Sequence, residues 1–356
     1  MTQAADNQSP RRRSRRTLLM AVVGICFAVV IFVFVLPRVI DFGEVWDALL
    51  SLSWLGVAAL VVTAIINVAT YGPPLMAAMP GLRYWPAQLA TLTSTASTYL
   101  APGGAAVGTA VSFGILRAWG FPKRRVSIAL GLYSLWSQAA ILGMPAAALL
   151  MLTLTGRRDP VLQSIAIIGF IIFFAVLAVL VISLWSERTA RWAGNWAAVA
   201  LSAVLTRIRR KPVGWNGEHF VQVRAEILDL ARTRWHWLTL ATLAGHLSVF
   251  LVLVVALRSV GIEGGQVSVV EAFAAWTLAR LLGAIPIVPG GFGVVDVGLT
   301  AALIGFGGPG GAVITTVLLY RLLTVVPPLA CGALAGSMWR KAHPGVLETE
   351  EAESAA

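Results

Sequence analysis

The stretch "PIVPGGFGVVDVGL" occupies residues 286–299 of a 356-residue chain and combines features that a membrane-spanning helix normally avoids. Pro289 removes a backbone donor, and the glycines after it permit positive φ angles, so the chain can reverse sharply at this point. Asp296 places a carboxylate in an otherwise apolar segment. We therefore predict that residues 269–307 form two short helical arms joined by a tight turn.

The composition places this stretch in a membrane protein. Hydrophobic residues make up 58% of the chain and charged residues only 12%, about half the charged fraction of a soluble domain. The expected fold class is an all-α polytopic membrane protein with about six full transmembrane helices. Apolar runs long enough to cross ~30 Å of hydrocarbon lie at residues 17–36, 54–79, 126–152, 161–185, 236–257 and 312–338.

Charge asymmetry predicts the orientation. The net charge is +11, but the Lys and Arg residues lie in short blocks between apolar runs, which argues against nucleic acid and favours loops that face anionic lipid. We expect a cell-membrane protein with both termini in the cytoplasm, a disordered basic tail at 1–16 and an acidic tail at 341–356. The blocks expected on the cytoplasmic side are residues 11–16, 117–125, 186–235 and 340–341.

The basic loop at 186–235 contains one apolar pattern. Phe220, Val223, Ile227 and Leu230 recur at three- and four-residue spacing, which predicts an amphipathic helix on the inner leaflet. A solvated connector between two halves of the protein is the alternative interpretation.

A second Pro-Gly-Gly, formed by Pro102, Gly103 and Gly104, interrupts the apolar stretch 85–119. On either side of both triplets lie arms of about 14 to 18 residues, mostly too short to cross a bilayer as helices. The predicted topology has the two hairpins enter from opposite faces. Such a pair of interrupted segments predicts two re-entrant hairpins in an inverted repeat, with a transporter-like binding site near the midplane.

The turns of these hairpins are the candidate site. At Gly291 and Gly293, and at Gly104, the next arm begins with unpaired N–H groups and the positive end of a helix dipole, which suit a phosphate or carboxylate. For Gly108 and Gly298 in the arms, close helix packing is the alternative explanation.

The carboxylate of Asp296 should face a cavity or a cation, because an unpaired charge at the bilayer centre costs about 2.5–3.5 kcal/mol. Arg280 and Arg321 are the candidate partners. Two roles remain open for such a pair: a structural lock for the hairpin or a grip on a headgroup. The hydroxyls of residues 91–99 would line the other hairpin, with Asn67 and Tyr71 as neighbours, or would bond back to their own helix.

Other chemistry is not indicated by the sequence. The two cysteines, Cys26 and Cys331, lie singly in apolar runs, and the four histidines show no metal-ligand spacing. The apolar spans contain no H-E-x-x-H, P-loop or G-x-S-x-G motif. We therefore predict no metal, no cofactor and no catalytic residue.

At these motifs the chain resembles the lysylphosphatidylglycerol synthase transmembrane domains, also called flippase-like membrane proteins. The resemblance is carried by residues 285–307 and 318–334, more loosely by 99–120, and extends over 17–340. It implies a helical domain that moves aminoacylated phospholipid between leaflets in the full-length synthases. By motif position it implies a functional set of Pro289, Gly290, Gly291, Gly293, Asp296 and Arg321.

The chain departs from this family in three respects. Asp296 stands where the family usually has glutamate, and residues 104–108 lack the arginine and glutamate that often follow the first Pro-Gly. No soluble aminoacyl-transfer domain follows before Ala356, so we do not expect a lipid-modifying enzyme.

The resulting hypothesis is a non-enzymatic membrane protein that translocates an amphiphilic lipid, either a phospholipid or a lipid-linked sugar. Its partners would be membrane lipids with anionic headgroups, and a synthase is a further candidate partner. A small-solute or ion transporter is one alternative. The other is an accessory membrane subunit of a glycosyltransferase or lipid synthase.

Overall fold

A computed structural model describes residues 52–100, 104–154, 217–283 and 293–342, together with Leu50 and single positions between 167 and 202. Over this part of the chain the protein consists of α-helices joined by turns. They are α1 (Trp54–Ala69), α2 (Pro73–Ala78), α3 (Tyr84–Leu100), α4 (Ala105–Ala118), α5 (Lys123–Leu154), α6 (Gly217–Ser259), α7 (Val269–Gly283), α8 (Val294–Gly305) and α9 (Gly310–Ala342).

Four helical segments within the described ranges are long and apolar enough to cross a membrane, and each contains one of the predicted spans. They are Trp54–Ala78, Lys123–Leu154, Ala225–Ser259 and Gly310–Trp339. The predicted spans at 17–36 and 161–185, and the tails at 1–16 and beyond Ala342, lie largely or wholly outside the described residues.

The first of these segments is broken between α1 and α2, where Pro73 and Pro74 occupy the first two positions of the new helix. Proline lacks a backbone N–H, so it is tolerated at this position but not in the preceding turn. Gln88 of α3 satisfies the groups that the break leaves open. Its amide Nε2 donates to the Val68 carbonyl, and its Oε1 accepts from the Gly72 N–H at 2.6 Å.

Replacing Gln88 by Leu should therefore destabilise the protein by about 1–3 kcal/mol, because the buried Gly72 N–H loses its partner and the Val68 carbonyl loses its side-chain donor. The measurement is thermal unfolding in detergent. Gln138→Leu on the exposed face of α5 is the matched control, and an equal loss of stability in both variants would contradict the bracing role of Gln88.

One end of the helical body is basic. The Arg125 guanidinium donates to the Pro80 carbonyl, and Arg124 forms an ion pair with Glu226 at 2.8 Å, so three chain segments meet here. We call this the basic end and define it by residues 80–83, 117–125 and 226–234. Its cationic side chains are Arg83, Arg117, Lys123, Arg124, Arg125, Arg232 and Arg234.

At the opposite end the chain segments 53–56, 258–268 and 306–309 meet. Gly56 packs against Ser259, and Gly307 packs against the carbonyl of Gln266. Arg258 fixes the loop before α7 by donating to the carbonyls of Ile262 and Val267 at 2.5 and 3.0 Å.

The short helices form two hairpins whose bases lie at these two ends. Helices α3 and α4 leave the basic end and return to it, whereas α7 and α8 leave the opposite end and return to it. The arms contain 17, 14, 15 and 12 residues, or about 18–26 Å as helices. The predicted lengths are confirmed for three arms, and α8 is shorter because it begins only at Val294.

The two halves repeat the same local structure. Helix α3 packs against α9, the helix that follows the second hairpin, and α7 packs against α5, the helix that follows the first. Each second arm ends in an aromatic residue, a glycine with positive φ (82° at Gly120, 111° at Gly307) and a proline two positions later. In both turns the same bond closes the helix, from Phe121 N to Leu116 O and from Gly308 N to Leu303 O.

The amphipathic pattern in the basic loop belongs to a longer helix than predicted. Helix α6 runs without interruption from Gly217 to Ser259, so the pattern continues directly into the apolar span. Ile227 and Leu230 pack against the hydrophobic cluster at the basic end, which includes Leu238. The expectation of a separate helix lying on the leaflet is therefore wrong at these positions, because the apolar side chains contact protein.

Gly108 lies where the arms of the first hairpin approach each other. A Cβ at this position would lie 2.7 Å from the Ser94 carbonyl oxygen and would overlap the Thr98 hydroxyl. Gly298 in α8 similarly faces Leu282 of α7, but there the neighbouring atom is the end of a flexible side chain, 2.6 Å away. Both glycines therefore serve close packing of a hairpin.

Gly108→Ala should weaken the first hairpin, because the Ser94 backbone cannot move aside as a side chain can. Gly131→Ala, at an exposed helical position with no atom within 4 Å of the new methyl, should instead gain up to about 1 kcal/mol from helix propensity. Thermal unfolding of the two variants in parallel measures this contrast, and equal shifts would contradict it.

Candidate functional site

A group of polar side chains, half-buried except for the buried Tyr320, lies near the end of α3 and the start of α8. Tyr99, at the tip of the first hairpin, lies within electrostatic range of Asp296 and Arg321 of the second half. Tyr71 lies within such range of Arg280. We call this group the central polar cluster; it comprises Tyr71, Tyr99, Tyr133, His246, Arg280, Asp296, Tyr320 and Arg321.

The second arm of the second hairpin begins at Gly293, which has a φ of +83°. An L side chain rarely adopts this conformation, so glycine is required at the turn. Asp296 is the third helical residue, and its Oδ2 accepts from the Gly293 N–H at 3.0 Å. Asp296 therefore lies in the first turn of α8.

This geometry changes the role expected of the α8 N-terminus. The Gly293 N–H was predicted to face an external phosphate or carboxylate, but it donates to Asp296. A carboxylate in the first turn is stabilised by the helix dipole. The anion that this helix end binds is therefore part of the protein itself.

Arg321 is the cation that pairs with Asp296. Its Nε donates to the Asp296 Oδ1, so the ion pair joins α8 to the middle of α9. The two side chains are 17% and 26% exposed, so the pair is neither fully buried nor at a free surface. Between the two arginines that the sequence left open, the structure selects Arg321.

Arg280 is held differently, by an aromatic ring and an imidazole. Its guanidinium carbon lies 4.8 Å from the centroid of the Trp276 ring, within the range of a cation–π interaction. Its Nη2 lies 3.3 Å from His246 Nδ1. Trp276 is fixed in turn, because its Nε1 donates to the Tyr320 hydroxyl at 3.0 Å.

The sequence did not identify Trp276 and His246 as site residues. Trp276 lies four positions before Arg280, the spacing that places two side chains on one helix face. His246 is a polar residue inside an apolar run. Both signals were present, but neither shows which other helix the side chain would meet.

The first hairpin carries no charge at the corresponding turn. Gly104 has a φ of +48° and precedes α4, which begins at Ala105 as predicted, and no side-chain hydrogen bond caps it within the described residues. The other site residues predicted at the two triplets, Pro102, Gly103, Pro289, Gly290 and Gly291, lie outside the described residues.

Most hydroxyls of residues 91–99 bond back to their own helix, as one of the two interpretations expected. Thr91, Thr95 and Thr98 each donate to the carbonyl four residues earlier, at 2.8–2.9 Å. Asn67, expected as a neighbour of this hairpin, instead donates to Ser248 of α6 at 3.1 Å. Over the described part of the chain, no group of three His, Cys, Asp or Glu residues is placed to hold a metal ion.

These features define a multi-pass helical membrane protein in which a charge pair lies at the start of the second arm of one of two helical hairpins. The family model for the lysylphosphatidylglycerol synthase TM region matches residues 20–332 of the chain. The chain therefore belongs to this family, and the resemblance seen in its motifs is confirmed. A comparison with curated proteins gave no match.

Loss of either charge of the Asp296–Arg321 pair should destabilise the hairpin, because the remaining charge stays partly buried without its partner. We expect Asp296→Asn and Arg321→Gln each to lower stability by less than the ~3–5 kcal/mol typical of fully buried pairs. The double variant should be more stable than the sum of the two losses predicts. Thermal unfolding of the four proteins gives this double-mutant cycle, and strictly additive losses would show that the pair contributes nothing.

Proposed function

We propose that this protein translocates an amphiphilic lipid between the two leaflets of the cell membrane, without chemically altering it. The observation that carries the proposal is the partly exposed Asp296–Arg321 pair at the start of α8, within electrostatic range of Tyr99 at the end of α3 in the opposed hairpin. Ionised groups in a membrane domain commonly mark the path of a polar substrate, because the free-energy cost of placing a charge in the bilayer is high. Membership in a family named for a lipid synthase's membrane region agrees with a lipid substrate.

The proposed topology is an inverted repeat with two re-entrant hairpins. The bases of α3–α4 and α7–α8 lie at opposite ends, the turns repeat, and the arms are short for a bilayer core of ~30 Å. The basic end would lie in the cytoplasm by the positive-inside rule. Its arginines would also concentrate anionic headgroups there, at roughly 1 kcal/mol per side chain.

The central polar cluster gives a physical route for the headgroup. Tyrosine hydroxyls and the charged groups of Asp296, Arg280 and Arg321 would replace part of its hydration while it crosses the bilayer centre. The acyl chains would stay in lipid, against exposed apolar side chains such as Leu322 and Val326 on α9, which are 53% and 49% exposed.

Reconstitution into liposomes that carry fluorescent lipids of several headgroups tests the function. The wild-type protein should speed transfer of at least one lipid relative to empty vesicles, and Asp296→Asn and Arg321→Ala should slow it at least about tenfold. Lys341→Gln, which removes an exposed charge outside the basic end and the central polar cluster, is the control and should retain transfer. Wild-type rates equal to those of empty vesicles for every lipid would refute translocation.

Cysteine labelling in oriented vesicles tests the topology separately. In a variant without Cys26 and Cys331, Lys123→Cys marks the base of the first hairpin, and Gly265→Cys, at an exposed position, marks that of the second. A membrane-impermeant maleimide should reach these two sites from opposite sides. Ala106→Cys and Val294→Cys mark the tips, and labelling of a tip only from the side opposite its own base would indicate full crossings instead of re-entrant hairpins.

A further inference from the structure

The two arginines of the central polar cluster differ in how their charges are compensated. Arg321 is paired with Asp296, whereas Arg280 has no carboxylate within ion-pair distance among the described residues. Between Val269 and Ala342 the acidic residues are Glu271 and Asp296. Glu271 lies nine positions before Arg280, or about 13 Å along the helix, and its carboxylate accepts from the N–H and hydroxyl of Ser268.

The segments at the hairpin tips that the structure does not describe, 101–103 and 284–292, contain no acidic residue. Of the other acidic side chains that the structure describes, Glu226 and Asp229 lie in the basic-end part of α6, and Glu263 lies in the loop before α7. Arg280 lies in the last turn of α7, where the dipole contributes only about half a negative charge. The guanidinium therefore keeps most of a positive charge at the centre of the protein.

The contacts of Arg280 orient it and do not neutralise it. A guanidinium has only donors, so His246 Nδ1 must accept from it and His246 Nε2 must carry the ring proton. This tautomer lets Nε2 face the Ser137 hydroxyl as a donor, at 3.4 Å. The imidazole is then neutral, and the Trp276 ring on the other side is also uncharged, so two groups fix the guanidinium while several of its N–H donors remain available.

We propose that Arg280 binds the phosphate of an anionic headgroup, and that His246 and Trp276 are its positioning residues. A guanidinium matches two phosphate oxygens with two parallel hydrogen bonds. The half-buried hydroxyls of Tyr71 and Tyr99 lie within electrostatic range of the same charge. The charges of Arg321 and Asp296 cancel each other, so a monoanionic phosphodiester neutralises the central polar cluster. A zwitterionic headgroup brings its own cation and therefore leaves the net charge of the cluster positive.

This inference rests on the proposed function, since it names the headgroup class that the same site would take. The test measures binding rather than transport. Full-length protein in non-ionic detergent is titrated by calorimetry with dihexanoyl-phosphatidylglycerol, dihexanoyl-phosphatidylcholine or inorganic phosphate. The wild type should bind the anionic lipid about tenfold more tightly than the zwitterionic one, because the positive cluster repels the cation of the zwitterionic headgroup.

The variants separate charge, geometry and folding. Arg280→Gln should abolish the preference for the anionic lipid. Arg280→Lys should keep the preference but bind both lipids more weakly, since an ammonium cannot form the two parallel bonds. His246→Ala should weaken binding of the anionic lipid, and His246→Asn should restore it in part, because the Asn Oδ1 can accept from the guanidinium. Lys341→Gln removes one exposed positive charge outside the central polar cluster and outside the basic end, and it should leave the preference unchanged.

A folded Arg280→Gln protein that keeps the preference at wild-type strength, or a folded Arg280→Lys protein that binds the anionic lipid as tightly as the wild type, would overturn the proposal. Inorganic phosphate that binds as tightly as the anionic lipid would overturn the lipid assignment and mark a site for soluble phosphate. Anionic-lipid binding without transfer in liposomes would refute translocation but leave Arg280 as the phosphate ligand. Lipid transfer in liposomes, together with an unchanged headgroup preference in Arg280→Gln, would refute Arg280 as the phosphate ligand but leave translocation standing.

Discussion

The carboxylate of Asp296 bonds both to the Gly293 N–H and to the Arg321 guanidinium, and the arrangement of the second hairpin depends on these two bonds. The first closes the turn that starts α8, because Gly293 adopts a positive φ that leaves its N–H outside the helix. The second ties that turn to the middle of α9. Reversing the chain in an apolar setting requires satisfied backbone groups, and here one side chain supplies the bond at the turn and the tertiary contact.

The first hairpin meets the same constraint without a charge. Its arms are joined by close packing at Gly108 against the Ser94 carbonyl, and its base is fixed to the break between α1 and α2 by Gln88. Packing of small residues and neutral hydrogen bonds is therefore sufficient to hold a broken hairpin. Placing a charge pair in the membrane domain costs more free energy than packing small residues there. This additional cost is the reason to connect the Asp296–Arg321 pair with a polar substrate.

The central polar cluster depends on contributions from distant parts of the chain. Tyr320 fixes Trp276, Trp276 and His246 fix Arg280, and the next residue along α9, Arg321, binds Asp296. Tyr320 of α9 thus orients Arg280 through Trp276, whereas its neighbour Arg321 pairs with Asp296. Asp296 neutralises Arg321, whereas Arg280 keeps its charge. The central polar cluster therefore has a net positive charge.

The sequence alone determined the class of protein, the positions of the four apolar spans that the structure describes and those of the two hairpins, because length, hydropathy and the Pro-Gly-Gly triplets act locally. It also determined that Asp296 needs a cation, since the cost of an unpaired charge in an apolar segment does not depend on the fold. Only the tertiary structure decided which arginine supplies that cation. Arg280 and Arg321 have similar local sequence surroundings, and their roles differ because α9 places Arg321 beside the start of α8 while α6 places His246 beside Arg280.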